Sequence, residues 1–207
     1  MQISLHNIVF MEILFATANP NKIREASQIL GPFFSIITPK DLNILEDIPE
    51  NGTTISENAV MKAEYIQKVT GRICFADDTG LEVDALDGAP GVYSARYASQ
   101  ICDPQKNMQK LLCELNGIDN RKARFITIIA YIDSNEIHLF EGVLNGKIID
   151  TPLGDKGFGY DPIFVPDGYE MTLAQLPPLE KNFISHRGIA LRKLSQFLKE
   201  AYHQPQS

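Results

Sequence analysis

The chain has 207 residues, of which 44% are hydrophobic and 22% charged, with a formal net charge of −7. This length lets one domain bury a full core, and the acidic balance argues against a nucleic-acid-binding protein, which would carry a broad basic surface. No apolar run approaches the roughly 20 residues of a membrane span, so no membrane association is predicted. A small anionic substrate is not excluded, because a local cluster of Lys and Arg can lie on an acidic body.

Cys74, Cys102 and Cys113 are an odd number of cysteines without the spacing of a metal site. They are predicted to be free, reduced thiols, which favours a cytoplasmic protein. Residues 1–10 precede an internal methionine, Met11, and are predicted to be an N-terminal extension. Residues 11–207 are predicted to form a single domain.

Strands and helices alternate in the first half of the chain. Residues 13–16 are predicted to form a short buried strand, and a helix with apolar positions at 23, 26, 29 and 30 follows. A second helix is predicted to begin at Thr54, whose side chain forms a capping box with Glu57, and to end near Gly71. Residues 73–76 are predicted to be the next buried strand, and residues 81–83 a further strand after a turn.

Helices and strands are both predicted in the second half of the chain as well. Asp103-Pro104 is typical of a helix start, and the β-branched run at 125–132 is typical of a central strand buried on both faces. Strands at 137–144 and 147–149 are predicted to form a hairpin around Asn145-Gly146, and the last helix spans residues 186–201. The predicted fold class is therefore α/β with a mixed central sheet, because a hairpin introduces antiparallel pairing.

The first candidate site lies between the first strand and the first helix. Ligands of α/β sheets bind beyond the carboxyl ends of strands, where helix N-termini present free amides to anions. Thr17 and Asn19 add hydrogen-bonding groups there, and Lys22 adds a positive charge. A capped helix start with a solvated lysine explains the same residues. The segment is not a Walker loop, because the chain contains no G-x-x-x-x-G-K-[ST].

The second candidate site is Asp77-Asp78-Thr79-Gly80, directly after the predicted strand at 73–76. Buried carboxylates are unfavourable unless they are paired or metal-bound, and on an extended chain neighbouring side chains point to opposite faces. The two carboxylates are therefore predicted to have different roles, one as a metal ligand and the other as a base or supporting residue. The predicted metal is Mg²⁺, which binds carboxylates, waters and phosphates. A solvent-facing Asp-rich turn is the alternative interpretation.

The sequence Asp78-Thr79-Gly80 also matches the aspartic-protease signature. That chemistry needs two carboxylates that share a proton, and the chain has no second such motif. Those proteases are almost all-β, whereas at least four amphipathic helices are predicted here. This function is excluded.

Two further segments could contact a flat, anionic ligand. A turn at 154–162 combines three glycines with two aromatic residues, which either stack on a ligand such as a purine or pack into the core. Lys181, His186 and Arg187 lie at the start of the last helix, where positive charge opposes the helix dipole. Helix stability does not explain them, so a ligand is favoured.

These motifs, in this order, resemble the inosine triphosphate pyrophosphatase family. The resemblance spans residues 13–198 and also includes Glu57-Asn58-Ala59, Gly88–Arg96 and Ser185–Gly188. It implies an elongated α/β fold with a cleft between two lobes of a mixed sheet flanked by helices, usually as a homodimer. It also implies Mg²⁺-dependent hydrolysis of deaminated purine nucleoside triphosphates (ITP, dITP and XTP) to the monophosphate and pyrophosphate.

The resemblance implies a role for each site residue. Triphosphate binding is assigned to Thr17, Asn19, Lys22 and Lys62, and recognition of the rest of the substrate to Thr79, Phe158, Gly159, Tyr160, Asp161, Lys181, His186 and Arg187. Asp78 matches the general base, and Glu50 with Asp78 matches the magnesium ligands, although Glu46, Asp47 or Glu57 could replace Glu50. Two alternatives stay open: a pyrophosphatase for another aberrant nucleotide, and a nucleotide-binding sensor without turnover.

Overall fold

The computed structural model of the chain describes residues 11–31, 34–46, 48–133 and 136–202. The predicted extension at 1–10 and the candidate ligand Asp47 lie outside these ranges. Within them, seven strands and five α-helices are present. The strands are β1 (Met11–Phe15), β2 (Phe34–Ile37), β3 (Cys74–Val83), β4 (Pro90–Gly91), β5 (Lys122–Asp133), β6 (Glu136–Ile148) and β7 (Phe164–Pro166). The helices are α1 (Pro20–Leu30), α2 (Ile55–Thr70), α3 (Pro104–Glu114), α4 (Pro178–Ile184) and α5 (His186–Tyr202).

The strands form one mixed sheet in the order β2-β1-β3-β5-β6-β7, with β4 pairing to β3 outside this path. β1 is parallel to β2 and β3, and the other pairs are antiparallel. The parallel pair β1–β2 requires a crossover connection, which α1 provides. The predicted α/β class with a mixed central sheet is confirmed.

The predicted hairpin at Asn145-Gly146 is wrong, because β6 runs through both residues without a turn. Gly146 pairs with Ala123 of β5 and with Pro166 of β7. A two-residue hairpin of this kind requires positive φ angles, and Gly146 does not have one. A Cβ at this position would overlap the Val165 carbonyl oxygen. The glycine therefore allows the close approach of β7 rather than a turn.

The predicted end of a strand at Ala76 is also wrong. β3 continues through Asp77 and Asp78, which pair with Ile129 and Ile128 of β5. The two acidic residues therefore lie in the middle of a central strand, not on a turn after it. Because the strand stays extended, their side chains point to opposite faces of the sheet, as predicted.

The hydrophobic core is divided along β3. On one face, α1 and α5 cover Phe15 and Phe75, whose rings stack with centroids 4.2 Å apart. On the other face, α2 packs Ala59, Ala63 and Ile66 against the same end of the sheet. A separate cluster forms further along, where Leu81 and Val83 meet α3 and β7. Residues 77–80 therefore form a polar stretch between two hydrophobic regions.

All three cysteines are free, as predicted, with Cys74 buried and Cys102 and Cys113 exposed. Burial raises the pKa of the Cys74 thiol to about 12, so this thiol stays protonated and unreactive. Within the described residues, no helix has the length and apolar character needed to cross a membrane.

The close contact of β6 with α5 predicts the effect of one substitution. An added Cβ at Gly142 would overlap the His186 carbonyl oxygen and lie 2.7 Å from the Ala190 nitrogen. We expect Gly142→Ala to lower the free energy of unfolding by about 1–3 kcal/mol, because overpacking forces backbone shifts. Denaturant unfolding measures this loss. Asn145→Ala, at an exposed position of the same strand, is the control, and equal losses in both variants would contradict the explanation.

Candidate active site

The turn between β1 and α1 brings its polar residues to β3. Ala16 N donates to Phe75 O at 2.8 Å, which holds the turn beside the acidic pair. Asn19 caps α1 by accepting from the amides of Asn21 and Lys22 at 2.9 and 3.4 Å. Thr17 Oγ1 in turn accepts from Asn19 N at 3.2 Å. The interpretation of Asn19 as a helix cap is therefore correct.

Lys22 is not the solvated lysine of a simple helix start. Its Nζ donates to Asp77 Oδ1 at 2.8 Å, and Asp77 is 1% exposed. Arg187 Nε contacts the other oxygen of Asp77 at 2.9 Å. Burial raises the pKa of Asp77, but the charges of Lys22 and Arg187 outweigh it and hold the pKa well below its usual range. Asp77 is thus a buried carboxylate that is ionised near neutral pH and pairs with two cations.

The ion pairs of Arg187 continue into a buried chain of alternating charges. Arg187 Nη1 donates to Glu25 Oε2 at 2.6 Å, and Lys181 Nζ donates to Glu25 Oε1 at 2.9 Å. Lys181 Nζ also donates to Asp161 Oδ2 at 2.7 Å. Glu25 was not predicted from the sequence, although it lies one turn after Lys22 and beside the apolar positions of α1. Lys181 lies on the separate helix α4 rather than at the start of the last helix, and these contacts explain both Lys181 and Arg187, because each is paired with buried carboxylates.

Asp78 occupies the opposite face of β3 and has different partners. Its Oδ1 lies 3.1 Å from Lys62 Nζ, and its Oδ2 lies 3.3 Å from Asn58 Nδ2. Burial raises the pKa of Asp78 above its usual value despite the opposing charges of Lys62 and Lys22, and the nearby charge of Glu50 adds to the rise. A carboxylate with a raised pKa accepts a proton more readily, which suits a general base.

Glu50 is the acidic residue that the structure brings to Asp78. Lys62 Nζ donates to Glu50 Oε1 at 2.9 Å and so bridges the two carboxylates. Arg96 Nη2 contacts Glu50 Oε2 at 2.9 Å. The two alternatives within the described residues are otherwise engaged, since Glu46 accepts from Tyr65 and Glu57 closes the capping box of α2.

The donor set at Glu50 and Asp78 fits magnesium. Both carboxylates lie within 3.1 Å of the same nitrogen, so a cation between them is compatible with their positions. No group of three or more His, Cys, Asp or Glu side chains converges in the described part of the chain. Mg²⁺ accepts such a sparse site, because it takes one or two carboxylates and completes its shell with waters and phosphates.

Thr79 connects the acidic strand to Arg187. Arg187 Nη2 donates to Thr79 Oγ1 at 3.2 Å, and the hydroxyls of Thr79 and Thr127 share a hydrogen bond of 2.7 Å. Thr127 is fully buried on β5 and was not predicted as a site residue. Only the register of β3 against β5 brings these two hydroxyls together.

The glycine-rich turn is closed by Asp161. Gly157 and Gly159 have φ angles of 74° and 64°, in a region that favours glycine. Asp161 Oδ2 accepts from Phe158 N at 2.7 Å, and a Cβ at Gly157 would overlap that carboxylate. The turn therefore holds Phe158 in one position relative to Lys181, which shares the Asp161 carboxylate.

The two aromatic rings of this turn differ in their surroundings. The partly buried Phe158 ring lies 4.9 Å from Lys181 Nζ and 5.4 Å from Arg187 Cζ. The Tyr160 ring is 5% exposed and packs in the core, and its hydroxyl donates to Ser94 O at 2.9 Å. Phe158 can stack on a flat ligand, whereas the Tyr160 ring packs within the core.

His186 is buried beside Phe125 at the start of α5. The two rings are nearly parallel, with centroids 4.6 Å apart. Burial, and then the charges of Arg187 and Lys181, lower the pKa of His186 well below its usual value, so the ring is neutral near pH 7. Among the described residues, nothing hydrogen-bonds its buried Nδ1. A buried polar atom without a partner is unusual in native proteins and is consistent with a ligand contact.

The site joins a carboxylate pair bridged by a lysine, several buried cations and an aromatic ring beside two of those cations. On a mixed α/β sheet, these features define a nucleotide-handling class of protein. The chain belongs to the Ham1 family, whose sequence model matches residues 13–197. The family resemblance predicted from the sequence is thereby confirmed.

Individual relatives are similar over nearly their whole length. A dITP/XTP pyrophosphatase of Christiangramia forsetii is 48% identical over 190 residues, covering 92% of this chain and 100% of that protein. A dITP/XTP pyrophosphatase of Bacillus subtilis is 44% identical over 196 residues, covering 93% and 99%. The solved structure of the Staphylococcus aureus Ham1 protein superposes with a TM-score of 0.84 at 39% identity, covering 92% and 99%.

Proposed function

We propose that the chain hydrolyses deaminated purine nucleoside triphosphates, namely dITP, ITP and XTP, to the monophosphate and pyrophosphate. The bond broken is the anhydride between the α- and β-phosphates, which removes these nucleotides from the pool. The observation that carries the proposal is the lysine bridge from Lys62 to Asp78 and Glu50. It places two carboxylates and a cation together, in a chain whose relatives are named dITP/XTP pyrophosphatase.

The triphosphate is assigned to the cations around β3 and to the polar turn before α1. A triphosphate carries about four negative charges, and positioning plus charge stabilisation dominates such reactions. Lys22 supplies positive charge beside Asp77, and Lys62 and Arg96 supply it beside Asp78 and Glu50. Thr17 and Asn19 lie in the turn before α1, and the family resemblance assigns them to the triphosphate.

Asp78 is the proposed general base, and Asp78 with Glu50 would hold Mg²⁺. When bound, the ion neutralises charge on the phosphate oxygens and favours departure of pyrophosphate. The Asp78 carboxylate accepts a proton from the attacking water. Lys62 contacts both carboxylates and lies within reach of a phosphate placed beside them. It can therefore hold the substrate phosphate next to the general base and the metal ligands.

The base is assigned to the space around Phe158, His186 and Arg187. Phe158 offers an aromatic face, and His186 offers a buried Nδ1 without a partner in the described residues. A guanidinium has five N–H groups, so Arg187 retains donors after its three contacts within the protein. Such donors suit a 6-oxo group and mismatch the 6-amino group of adenine. Thr79, Gly159, Tyr160, Asp161 and Lys181 support these residues.

Several broader properties belong to the same proposal. Residues 11–207 act as one domain with the substrate cleft between two lobes, and the chain works as a cytoplasmic homodimer without nucleic-acid partners. The acidic net charge of −7 supports the absence of nucleic-acid partners, and the three free cysteines support a cytoplasmic location. The homodimer and the cleft are supported by the family resemblance.

One assay tests the proposal against its alternatives. Pyrophosphate release is measured from ITP, dITP, XTP, GTP, ATP and dUTP, with and without Mg²⁺. We expect rapid release from the deaminated purines only with Mg²⁺ and little from ATP. Preference for dUTP would favour the pyrophosphatase for another aberrant nucleotide. Tight nucleotide binding without any release would identify a sensor.

A further inference from the structure

Asn58 is a buried polar residue whose side chain has two partners at the site. It lies in the first turns of α2 and is 3% exposed. Gly52 N donates to Asn58 Oδ1 at 2.8 Å, and because a backbone amide can only donate, this contact sets the orientation of the side-chain amide. Asn58 Nδ2 therefore faces Asp78 Oδ2 at 3.3 Å and donates to it.

The segment that carries Glu50 is packed tightly against α2 at the same place. A Cβ on Gly52 would lie 2.7 Å from Glu57 Cβ and 2.9 Å from Asn58 Oδ1. Gly52 is two residues from Glu50, so the contact with Asn58 holds the chain against α2 close to Glu50. The Glu50 side chain then reaches Lys62 at 2.9 Å.

Asn58 and Lys62 are four residues apart on α2, so they lie on one face of the helix. Each of them bridges the same two parts of the chain, the segment 50–52 and the carboxylate of Asp78. Lys62 is assigned above to the triphosphate, and contact with a phosphate would weaken its bridge. Asn58 itself is neutral, so unlike Lys62 it carries no charge that an anionic substrate would attract away from the bridge.

We propose that Asn58 is a positioning residue for the reaction. Its amide keeps the Glu50 segment and Asp78 together so that both carboxylates can bind the same metal ion. This inference rests on the proposed function of Glu50 and Asp78. Asn58 touches neither the substrate nor the metal and acts only through these two residues. Residues that orient metal ligands typically contribute about 10–100-fold to metal affinity or activity.

The test compares Asn58→Ala and Asn58→Ser with the matched control Thr54→Ala in the full chain. Serine keeps a polar group but cannot span Gly52 and Asp78. Thr54 caps the same helix and contacts neither carboxylate, so its loss is a stability change alone. Mn²⁺ affinity is measured by electron paramagnetic resonance without nucleotide, and kcat and KM are measured with dITP and Mg²⁺.

Both Asn58 variants are expected to lose about 10–100-fold in Mn²⁺ affinity and in kcat, with a smaller change in KM. Thr54→Ala is expected to match the unmodified chain in Mn²⁺ affinity, kcat and KM. The loss of Mn²⁺ affinity should shrink when Asn58→Ala is combined with Glu50→Gln, because the ligand that it positions is then absent.

The inference is overturned if the Asn58 variants behave like Thr54→Ala, if their loss is undiminished beside Glu50→Gln, or if the unmodified chain binds no Mn²⁺. Failure of the proposed function is a separate result, namely no pyrophosphate release from dITP by the unmodified chain. In that case the Mn²⁺ measurements still decide the role of Asn58, because they do not need turnover.

Discussion

Asp78→Asn is expected to abolish pyrophosphate release from dITP while leaving nucleotide binding largely intact. Asparagine keeps the size of the side chain and an oxygen for Lys62, but it cannot accept a proton from water. Loss of a general base reduces turnover by about 10²–10⁴-fold, and the lost metal contact adds to this. Turnover is measured with excess Mg²⁺ as pyrophosphate released, and binding by calorimetry with the inactive variant.

The stability of this variant provides the control. The Asp78 side chain is 13% exposed and Lys62 retains Glu50 as a partner, so the loss of stability should be smaller than that of Asp77→Asn. A variant that turns over at the unmodified rate would remove Asp78 as the base. A variant that fails to bind nucleotide would show that Asp78 acts in binding rather than in the chemical step.

Asp77→Asn, in contrast, is expected to act mainly by lowering the free energy of unfolding. Asp77 is 1% exposed and neutralises two cations, Lys22 at 2.8 Å and Arg187 at 2.9 Å. Removing one partner of a buried ion pair costs about 3–5 kcal/mol, because the remaining charge stays buried without compensation. Denaturant unfolding at pH 7 measures the loss. Glu82→Gln, which breaks a partly exposed pair with Arg124, is the control and should change stability by at most about 1 kcal/mol.

The loss in Asp77→Asn should also depend on pH. The folded-state pKa of Asp77 is lowered, so the unfolded chain takes up its proton first as the pH falls. The charge of Asp77 therefore stabilises the fold fully above about pH 4, the ordinary value of this side chain, and less at lower pH. The gap between the unmodified chain and Asp77→Asn should be largest near neutral pH and narrow below about pH 4. A gap that is constant with pH would contradict this explanation.

Local signals were sufficient for four of the helices, for parts of the longer strands and for the class of protein, whereas β2, β4, β7 and α4 were not predicted. The capping box at Thr54, the Asp103-Pro104 start and the apolar run of β5 depend on residues close in sequence, and each lies where it was predicted. The ordered motifs also identified the family, because each motif is a short, continuous segment. The two errors in strands, at Ala76 and at Asn145-Gly146, arose where polar or turn-forming residues lie inside long strands that pairing with neighbours sustains.

The division of roles within the site was decided only by tertiary structure. Alternation along an extended strand predicts that Asp77 and Asp78 diverge, but not which of them faces the two buried cations. That difference depends on α1 and α5 packing on one face of β3 and α2 on the other. The choice of Glu50, the burial of the Tyr160 ring and the contacts of Glu25 and Asn58 likewise join residues far apart in the chain.

The sequence alone therefore determined four of the helices, parts of the longer strands, the fold class and the family, since these follow from short-range patterns. The tertiary structure decided that Asp77 is a buried anchor and that Asp78 shares Lys62 with Glu50. The physical reason is that a carboxylate takes its pKa and its role from burial and from the charges within a few ångströms. Those neighbours are set by the packing of helices on both faces of the sheet, which no local pattern specifies.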